Sequence, residues 1–564
     1  MEWPLVDTAT GTVTDTGNPV ANRQPDVLAV RERSRSITRV LYRCVRGLKI
    51  FPLVAASLGV LGIGARAQEM AVQDPATQST AGTAATSRAG WSLTPSLSIR
   101  ETLTSNVRLS SSNPRSDLVT EVTPQLKLSS NVGRLKGSLD YSLHGLLYAS
   151  ESSFNDVQQA LSAQGTLEAI EKWAYVDANA SVSQQSVSAF GTRSSDSALI
   201  NSNRTEVSSF QVSPYVRGRL AGLANYEARW RAASTSGQGS TADSSSEETS
   251  LRVSSDASSL RRLGWSADYS QQTSKFGSRE SRTMERMSGT LFFSATPDLR
   301  LLARGGSENN DLASLNNKQY TTWGLGGVWK PTDRTTLDAN YDHRFFGNGY
   351  NVRFEHRTPR TVWSFATAQD VNTSSLSGGA GNPRTVFDLL FTQFASIAPD
   401  PVQRTALVDA FLQNNGLTRA TLASGGFLSS TASIERSKTF SVALLGLRST
   451  LLFSAYTNDS RAVDPAAAGA GDLANGNVLH QRGLSLTASQ RLTPQSSLSL
   501  GFSLNKTRGD VGNRSTELRS LSTTWTNQLS RDVDLSLTAR RALFDSSADP
   551  YNESALVANL RVKF

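Results

Sequence analysis

Four histidines are the first residues to consider for chemistry. His144, His343, His356 and His480 are the only histidines among 564 residues. Ser142 and His144 lie two residues apart, a spacing that places both side chains on one face of a β-strand. No matching acid and no oxyanion-binding signature accompanies the pair in the sequence. We therefore interpret it as a hydrogen bond rather than as the nucleophile and base of a hydrolase.

Metal and nucleotide chemistry have no support in the sequence either. His343 and His356 flank a hairpin loop but lack the further ligands that a metal site requires. The single cysteine, Cys44, excludes a CxxC zinc site and a disulfide scaffold. No glycine-rich phosphate loop follows a strand and opens a helix. The sequence predicts no enzyme, no cofactor and no metal.

Alternation of apolar and polar residues dominates the chain from Trp91 to Phe564. Leu498, Leu500 and Phe502, for example, alternate with serine and glycine. Short turns recur between the alternating segments, at Asn131–Arg134, Ile170–Lys172, Leu220–Gly222, Thr296–Asp298, Pro331–Arg334, Thr358–Arg360, Thr493–Gln495 and Arg531–Asp532. Longer loops rich in Ser, Gly, Asn and Asp lie between them, such as Ser234–Glu248 and Asn458–Asn477.

Short turns on one side and long loops on the other are typical of outer-membrane barrels, whereas a soluble sandwich would mix the two lengths. The mean hydropathy of −0.32 excludes a polytopic helical membrane protein, which needs repeated runs of about 20 apolar residues. Residues 91–564 are predicted to form an all-β, transmembrane, antiparallel up-and-down β-barrel of about 22 strands. An even strand number places both ends of the barrel in the periplasm.

The N-terminal region reads as an export segment. An apolar run, Phe51–Ile63, follows several basic residues and precedes Ala65-Arg66-Ala67, which is a signal-peptide pattern. We expect residues 1–67 to be removed, Gln68 to begin the mature protein, and residues 68–90 to form a short periplasmic segment. A signal anchor is the alternative. The polar stretch before the basic run is longer than usual, so the true start codon is an open question.

Charge does not point to nucleic acid, because the chain is exported and its charges are dispersed. The whole chain has a formal net charge of +9. Residues 1–67 carry nine Lys/Arg and five Asp/Glu, a net of +4, so the charge falls to +5 on cleavage. Cys44 is removed with the same segment.

One segment, from Asn372 to about Thr431, breaks the alternation. Thr385 and Asp388 resemble a capping box, and Pro399 would end the helix that follows. Apolar residues have helical spacing in two runs: Val386, Leu389, Leu390, Phe394 and Ile397, then Leu407, Val408, Phe411 and Leu412, before Gly416. The prediction is a two-helix loop insertion over about 373–430 on the external side. It could constrict the lumen, cap the mouth outside, or pack on itself as a surface loop.

Strand parity assigns a set of basic residues to the lumen. They are Arg217, Arg219, Arg229, Arg231, Arg300, Arg304, Arg540, Arg561 and Lys563, interleaved with Asp140, Asp177, Glu227, Asp338 and Asp534. Guanidinium groups pair with carboxylates in bidentate fashion, so this wall could favour anionic or hydroxyl-rich chains. A solvated wall with no preference for any ligand explains the same pattern, and we favour this interpretation.

Two features of the sequence resemble those of known outer-membrane proteins. The last strand ends in Leu560, Val562 and Phe564 on one face, which resembles the C-terminal signal read by the barrel-assembly machinery of Gram-negative bacteria. Three segments share [Leu/Val]-[Ser/Thr]-Pro-x-[Leu/Val], at Leu93–Leu97, Val122–Leu126 and Val212–Val216. With "SIRETLTSNVRLS" and "NRTEVSSFQVSPYVRGRL", they resemble the outer-membrane β-barrel family associated with the exosortase/PEP-CTERM sorting and exopolysaccharide system. The resemblance covers most of residues 91–564.

The resemblance implies a place in the outer membrane of a Gram-negative bacterium and a role as pore or accessory component in exopolysaccharide export. It supplies no catalytic residues, and residues 1–49 depart from it. The partners it implies are outer-membrane lipid and lipopolysaccharide, the barrel-assembly machinery, polysaccharide and envelope export components. Two alternatives remain: a non-transporting barrel that anchors surface polymer or protein, and a general diffusion porin.

Overall fold

The computed structural model describes residues 90–220, 222–237, 243–255, 262–312, 318–377, 426–465 and 471–564, with ten further residues between 387 and 412. The predicted export segment, 1–67, lies outside the described residues. So do Val386, Leu389, Ile397, Phe411 and the proposed helix ends of the insertion. Among the described residues, no helix has the length and apolar character needed to cross a membrane.

Strands make up nearly all of the described chain. In chain order they are β1 (Trp91–Thr104), β2 (Asp117–Val132), β3 (Leu135–Tyr148), β4 (Asp156–Ile170), β5 (Ala174–Ser186), β6 (Arg204–Leu220), β7 (Ala224–Gly237), β8 (Ser244–Ser255), β9 (Leu263–Phe276), β10 (Arg282–Ser294), β11 (Leu299–Asn310), β12 (Lys318–Thr332), β13 (Thr335–Arg344), β14 (Gly347–Arg357), β15 (Thr361–Asn372), β16 (Leu376–Ser377), β17 (Phe427–Leu428), β18 (Ser433–Leu445), β19 (Ser449–Ala462), β20 (Val478–Arg491), β21 (Ser496–Gly509), β22 (Ser515–Gln528), β23 (Val533–Ser546) and β24 (Tyr551–Lys563). Short 3-10 helices cover Ser152–Phe154 and Ala474–Gly476.

The main sheet is a closed ring of 22 antiparallel strands, which confirms the predicted fold class. Closure is made by β1 and β24, where Ile99 faces Leu560 and Leu103 faces Leu556. A closed barrel leaves no strand edge, and every backbone polar group in the sheet interior has a neighbour. The small strands β16 and β17 pair only with each other, at the base of the helical insertion.

The short turns lie where the sequence predicts them, but two predicted long loops are shorter than expected. Strand β7 extends to Gly237 and β8 starts at Ser244, so most of Ser234–Glu248 is paired strand, with Ser234 opposite Ser245. Likewise β19 continues to Ala462. Serine and asparagine are weak strand formers in isolation, but a serine-rich pair extends a ladder that its neighbours already hold in register.

The outer surface of the barrel is apolar. Leucines such as Leu103, Leu291 and Leu556 expose 54–66% of their surface. Five exposed tryptophans lie close to the short-turn end of their strands: Trp91, Trp173, Trp265, Trp329 and Trp363. An outward apolar band with an aromatic girdle is the surface of a barrel in lipid, with its short turns in the periplasm. The chain is therefore a barrel of the outer membrane of a Gram-negative bacterium.

The inner surface is polar and contains ion pairs of very different exposure. The fully buried Glu308 accepts a hydrogen bond from Arg344 Nη2 at 2.7 Å, whereas Arg252, whose side chain is 70% exposed, pairs with Asp268.

We expect Arg344→Met to lower the free energy of unfolding by about 3 kcal/mol, because Glu308 is left buried without its cation. Arg252→Met should change it by less than about 1 kcal/mol. Urea unfolding of both variants in lipid bilayers tests this, and equal effects would contradict it.

Candidate functional site: the occluded lumen

A loop crosses the lumen from one wall to the other. Residues 187–203, which we call loop β5–β6, fold inward from the external end of the barrel. Phe190 lies in a buried cluster with Phe427, Leu473 and Leu479. Leu479 belongs to β20, which lies on the side of the ring opposite β5, where the loop begins. Ser188 Oγ and the Ala189 amide donate to the two carboxylate oxygens of Asp472 at 2.9 and 2.6 Å. This end of the loop is held on the far wall.

The other half of loop β5–β6 is anchored near the seam between β1 and β24. Ala198 packs with Leu146 in one cluster, and Leu199 packs with Phe544 in another. The Tyr148 hydroxyl donates to the Ala198 carbonyl at 2.9 Å, and the Tyr551 hydroxyl donates to the Arg193 carbonyl. The loop is thus fixed to the barrel wall by packing and by backbone hydrogen bonds together.

Asp196 is the charged anchor of this loop. Its carboxylate pairs with Arg100 of β1 and, at 2.6 Å, with Arg540 of β23. Each arginine has a second carboxylate partner on the wall, because Arg100 pairs with Glu121 at 3.1 Å and Arg540 with Glu553 at 2.8 Å. The Asp196 side chain is only 3% exposed. A buried carboxylate between two guanidinium groups is strongly held, since removing it leaves buried positive charge with fewer partners.

The acid resistance of this anchor follows from its charges. Burial alone would raise the pKa of the Asp196 carboxyl, but the guanidinium groups of Arg100 and Arg540 hold that pKa well below its usual range. A folded pKa below the unfolded value means that the stabilisation is complete above the ordinary pKa of about 3.9. It is lost only as the pH falls through the lower folded pKa.

We therefore expect loop β5–β6 to stay docked between about pH 7 and about pH 5. The Ala198 amide, which donates to Asp196 Oδ1 at 3.0 Å, reports on docking by hydrogen exchange. Its protection, corrected for the intrinsic exchange rate, should be equal at the two pH values. A marked loss of protection at the lower pH would show that another group, titrating higher, controls the loop.

The helical insertion occupies the lumen rather than the outside. Its described residues Leu390, Phe394, Val408 and Leu412 are buried in one cluster with Val362, Ala443 and Leu452. Those three wall residues lie near the short-turn ends of β15, β18 and β19, far from the external end where the insertion begins. The insertion therefore reaches down to the periplasmic end. Of the three predicted arrangements, the external cap and the surface loop are wrong for the described residues.

The insertion also touches the wall across from its hydrophobic contact. Asp409 Oδ2 lies 3.9 Å from Lys127 Nζ of β2, and Lys127 also pairs with Asp140 at 3.6 Å. On the external side, Ser375 accepts a hydrogen bond from Ser244 at 2.9 Å. Phe427, at the base of the insertion, belongs to the same cluster as Phe190. The insertion and loop β5–β6 therefore pack on each other and obstruct the lumen jointly.

The structure places the predicted basic residues on the inner wall, and five of the nine form ion pairs with acids among the described residues. Arg229 contacts Asp177 at 2.9 Å and Glu227 at 3.0 Å. Further pairs are Arg231–Glu248 (2.8 Å), Arg304–Asp342 (2.9 Å), Arg540–Glu553 (2.8 Å) and Lys563–Asp534 (2.8 Å). Arg219 and Arg561 share the inward register of Arg217 and Lys563 on their strands. Where the cations are paired in this way, an anion gains little from them, because each already has a carboxylate partner.

Two of these arginines lie on aromatic rings instead. Arg217 stands 4.4 Å from the Tyr175 ring centre and Arg300 stands 5.4 Å from that of Phe292. The rings of Tyr175 and Tyr215 stack with their centres 5.1 Å apart. The Arg229 guanidinium lies over the Tyr215 ring, 3.8 Å from its centre. These cation–π contacts fix the guanidinium groups against the wall.

At the chain end, Leu560 and Phe564 expose 40% and 74% of their surface on the outer face, and their role as an assembly signal stays a prediction.

The histidines are distributed as the strand faces dictate. His343 stacks on the outward-facing Trp323 and His356 bonds Thr335 at 2.9 Å. In the part of the chain that is described, no cluster of His, Cys, Asp and Glu suits a metal ion. Ser142 and His144 do form the predicted hydrogen bond, at 3.0 Å. The acid that the sequence did not reveal is Glu121, whose Oε1 lies 2.7 Å from His144 Nδ1.

Sequence reasoning missed Arg100, Glu121 and Asp196. Strand parity alone would have placed Arg100 and Glu121 on the inner face, since they are direct cross-strand neighbours on β1 and β2. No sequence signal marks Asp196, because its partners are 96 and 344 residues away.

No protein-family model and no curated protein matches the chain. Among solved structures it is similar to the ferric enterobactin receptor PfeA of Pseudomonas aeruginosa, with a TM-score of 0.42, 9% identity, and coverage of 84% of this chain and 80% of that chain. The FrpB iron transporter of Neisseria meningitidis gives a TM-score of 0.43, 9% identity, 84% and 83%. OmpT of Vibrio cholerae, an outer membrane protein solved with loop L8 deleted, gives a TM-score of 0.29 and 7% identity. That comparison covers 84% of this chain and 100% of OmpT. Similarities of this size carry no argument about function. The chain's own features, a closed 22-stranded ring with an apolar exterior, identify it as an outer-membrane barrel.

Proposed function

We propose that this barrel is a normally closed conduit for exopolysaccharide across the outer membrane, in bacteria that use an exosortase/PEP-CTERM system. The proposal rests on one observation, which is that parts of the barrel chain itself obstruct the lumen. A 22-stranded barrel is wide enough to need a plug, and here two segments of the barrel chain itself, the insertion and loop β5–β6, fill it. Internal segments anchored by ion pairs and small clusters can be displaced without removing a separate domain.

The inner wall supports a hydrated chain as cargo. Arginines and carboxylates are interleaved along it, and hydroxyl groups pair with the arginines: Ser213 accepts from Arg229 at 3.1 Å and Thr290 accepts from Arg304 at 3.3 Å. Paired charges keep a wall wet without attracting one sign strongly, which suits a hydroxyl-rich polymer better than a small anion. The sequence resemblance to exosortase-associated barrels adds the genomic context.

Export from cells tests the proposal. A strain lacking this chain should lose most of its extracellular polysaccharide and retain polymer in the periplasm, and the full-length chain should restore export. Unchanged secretion, with polymer no longer held at the cell surface, would instead identify an anchoring barrel. Unchanged polymer together with reduced uptake of small solutes would identify a diffusion porin. Either of these results overturns the proposal.

A further inference from the structure

A hydrogen-bonded chain of three side chains lies on the inner wall, on β2 and β3. Ser142 Oγ is 3.0 Å from His144 Nε2, and His144 Nδ1 is 2.7 Å from Glu121 Oε1. The carboxylate next to Nδ1 fixes the proton of a neutral imidazole on that nitrogen, which leaves Nε2 as the acceptor of the serine hydroxyl. This is the order of contacts by which a serine nucleophile, a histidine base and an orienting acid work.

Surrounding residues hold the acid and the base in place. Glu121 Oε2 accepts from Arg100 Nη1 at 3.1 Å, and the Thr123 hydroxyl donates to Glu121 Oε1 at 3.1 Å. The Glu121 side chain is 7% exposed, whereas that of His144 is 27% exposed. On the inner wall the acid is therefore largely covered by its neighbours, and the imidazole is the more exposed of the two groups. Such packing keeps the three groups in register without assistance from a ligand.

A donor for a developing oxyanion is present beside the serine. Gln125 is the direct cross-strand neighbour of Ser142, which places its side chain within reach of the same ligand atoms. Its Nε2 donates to Asp140 at 2.7 Å, and a primary amide carries a second N–H. The neighbour on the other side is Ala160, and Ser142 itself is 8% exposed. Only a small acyl group can approach the hydroxyl at such a site.

We propose that Ser142, His144 and Glu121 form an esterase site that removes small acyl groups, of acetyl size, from hydroxyl-rich molecules in the lumen. Ser142 Oγ bonds to the acyl carbon while its proton passes to His144 Nε2, and that proton then goes to the departing alcohol. Water, deprotonated by the same imidazole, attacks the acyl-serine. A carboxylic acid is released and Ser142 is regenerated, so no other reactant is needed.

The activity is separate from transport, because it is measured in detergent micelles that have no compartments. p-Nitrophenyl acetate is the substrate, and the rate is compared among the full-length chain, Ser142→Ala, Glu121→Gln and Ser162→Ala. Ser162 faces the lumen on β4, opposite Asp140, and serves as the matched control. We expect Ser142→Ala to fall to the rate of buffer with micelles, Glu121→Gln to lose about tenfold or more, and Ser162→Ala to match the unmodified chain.

A covalent readout separates catalysis from a purely structural hydrogen bond. Methanesulfonyl fluoride, whose sulfonyl group is close to acetyl in size, should lose fluoride and add one methanesulfonyl group to the full-length chain, located on Ser142 by peptide mass mapping, and none to Ser142→Ala. The same reagent is applied to a barrel whose insertion has been shortened, so that access is not limiting. Equal hydrolysis by the unmodified chain and Ser142→Ala, or no adduct on Ser142 in either barrel, would overturn the proposal.

Discussion

A barrel in which an Asn-Gly turn replaces residues 378–426 is expected to conduct ions, whereas the unmodified barrel stays closed. Ser377 and Phe427 face each other across β16 and β17, so a two-residue type I′ turn can join them without disturbing the base of the insertion. The replacement removes Leu390, Phe394, Val408 and Leu412 from the lumen, together with their cluster on the periplasmic half of the wall.

Planar-bilayer recordings measure the effect. Barrel diameter grows roughly linearly with strand number, so an unobstructed 22-stranded lumen has roughly twice the cross-section of a 16-stranded porin. Loop β5–β6 remains in place, and we expect steps of porin size rather than the full value. Leu407→Ala is the control, because Leu407 is 38% exposed and lies outside the cluster. A silent trace from a folded replacement barrel, checked by circular dichroism, would contradict the plug assignment.

Asp196→Asn is expected to free loop β5–β6 from the wall. The substitution keeps the shape of the side chain but removes the charge that Arg100 and Arg540 share. Both arginines keep one carboxylate, so the cost to docking should be near the lower end for a broken buried pair, about 3 kcal/mol. That value corresponds to an undocked population about 100-fold larger.

Trypsin reports on the undocked loop through Arg193, which is 9% exposed in the docked loop. We expect slow cleavage after Arg193 in the unmodified barrel and cleavage about 100-fold faster in Asp196→Asn, if opening precedes cutting. The matched control is Asp549→Asn, on an exposed external turn. Equal cleavage rates for Asp196→Asn and this control would show that packing of Ala198 and Leu199, and not the ion pairs, holds the loop.

The barrel itself could be predicted because its pattern is local. A strand in lipid must alternate, as Leu498, Leu500 and Phe502 do, and one pass along the chain counts such strands. Parity then assigns Arg229 or Arg540 to the inner face. The lengths of the external loops could not be predicted, because Ser234 and its neighbours gain their strand structure from pairing across the ladder.

The obstruction could not be predicted, because it depends on contacts between distant parts of the chain. Helical spacing identified Leu390 and Val408 as one face of an insertion, but not the wall that this face covers. Asp196 is a single acid among many, and only the folded barrel brings it to Arg540. Glu121 meets His144 through the pairing of β2 with β3, which required the strand register rather than the residue types. A residue type thus predicts which chemistry is available, while the fold decides which groups meet.

If the lumen is the path for polymer, as we propose, the insertion must leave it during export. Lys127→Cys combined with Asp409→Cys tests this, since the native side-chain ends lie 3.9 Å apart and the chain's only other cysteine is Cys44. A short bifunctional thiol reagent then ties the insertion to β2, while each single variant controls for modification alone.

The measurement is extracellular polysaccharide from cells with the tie closed by the reagent and reopened by a reductant that cleaves it. We expect export to stop when the tie is closed, to resume when it is cleaved, and to be unaffected in the single variants. Export that continues at the full rate while every barrel is tied would contradict it.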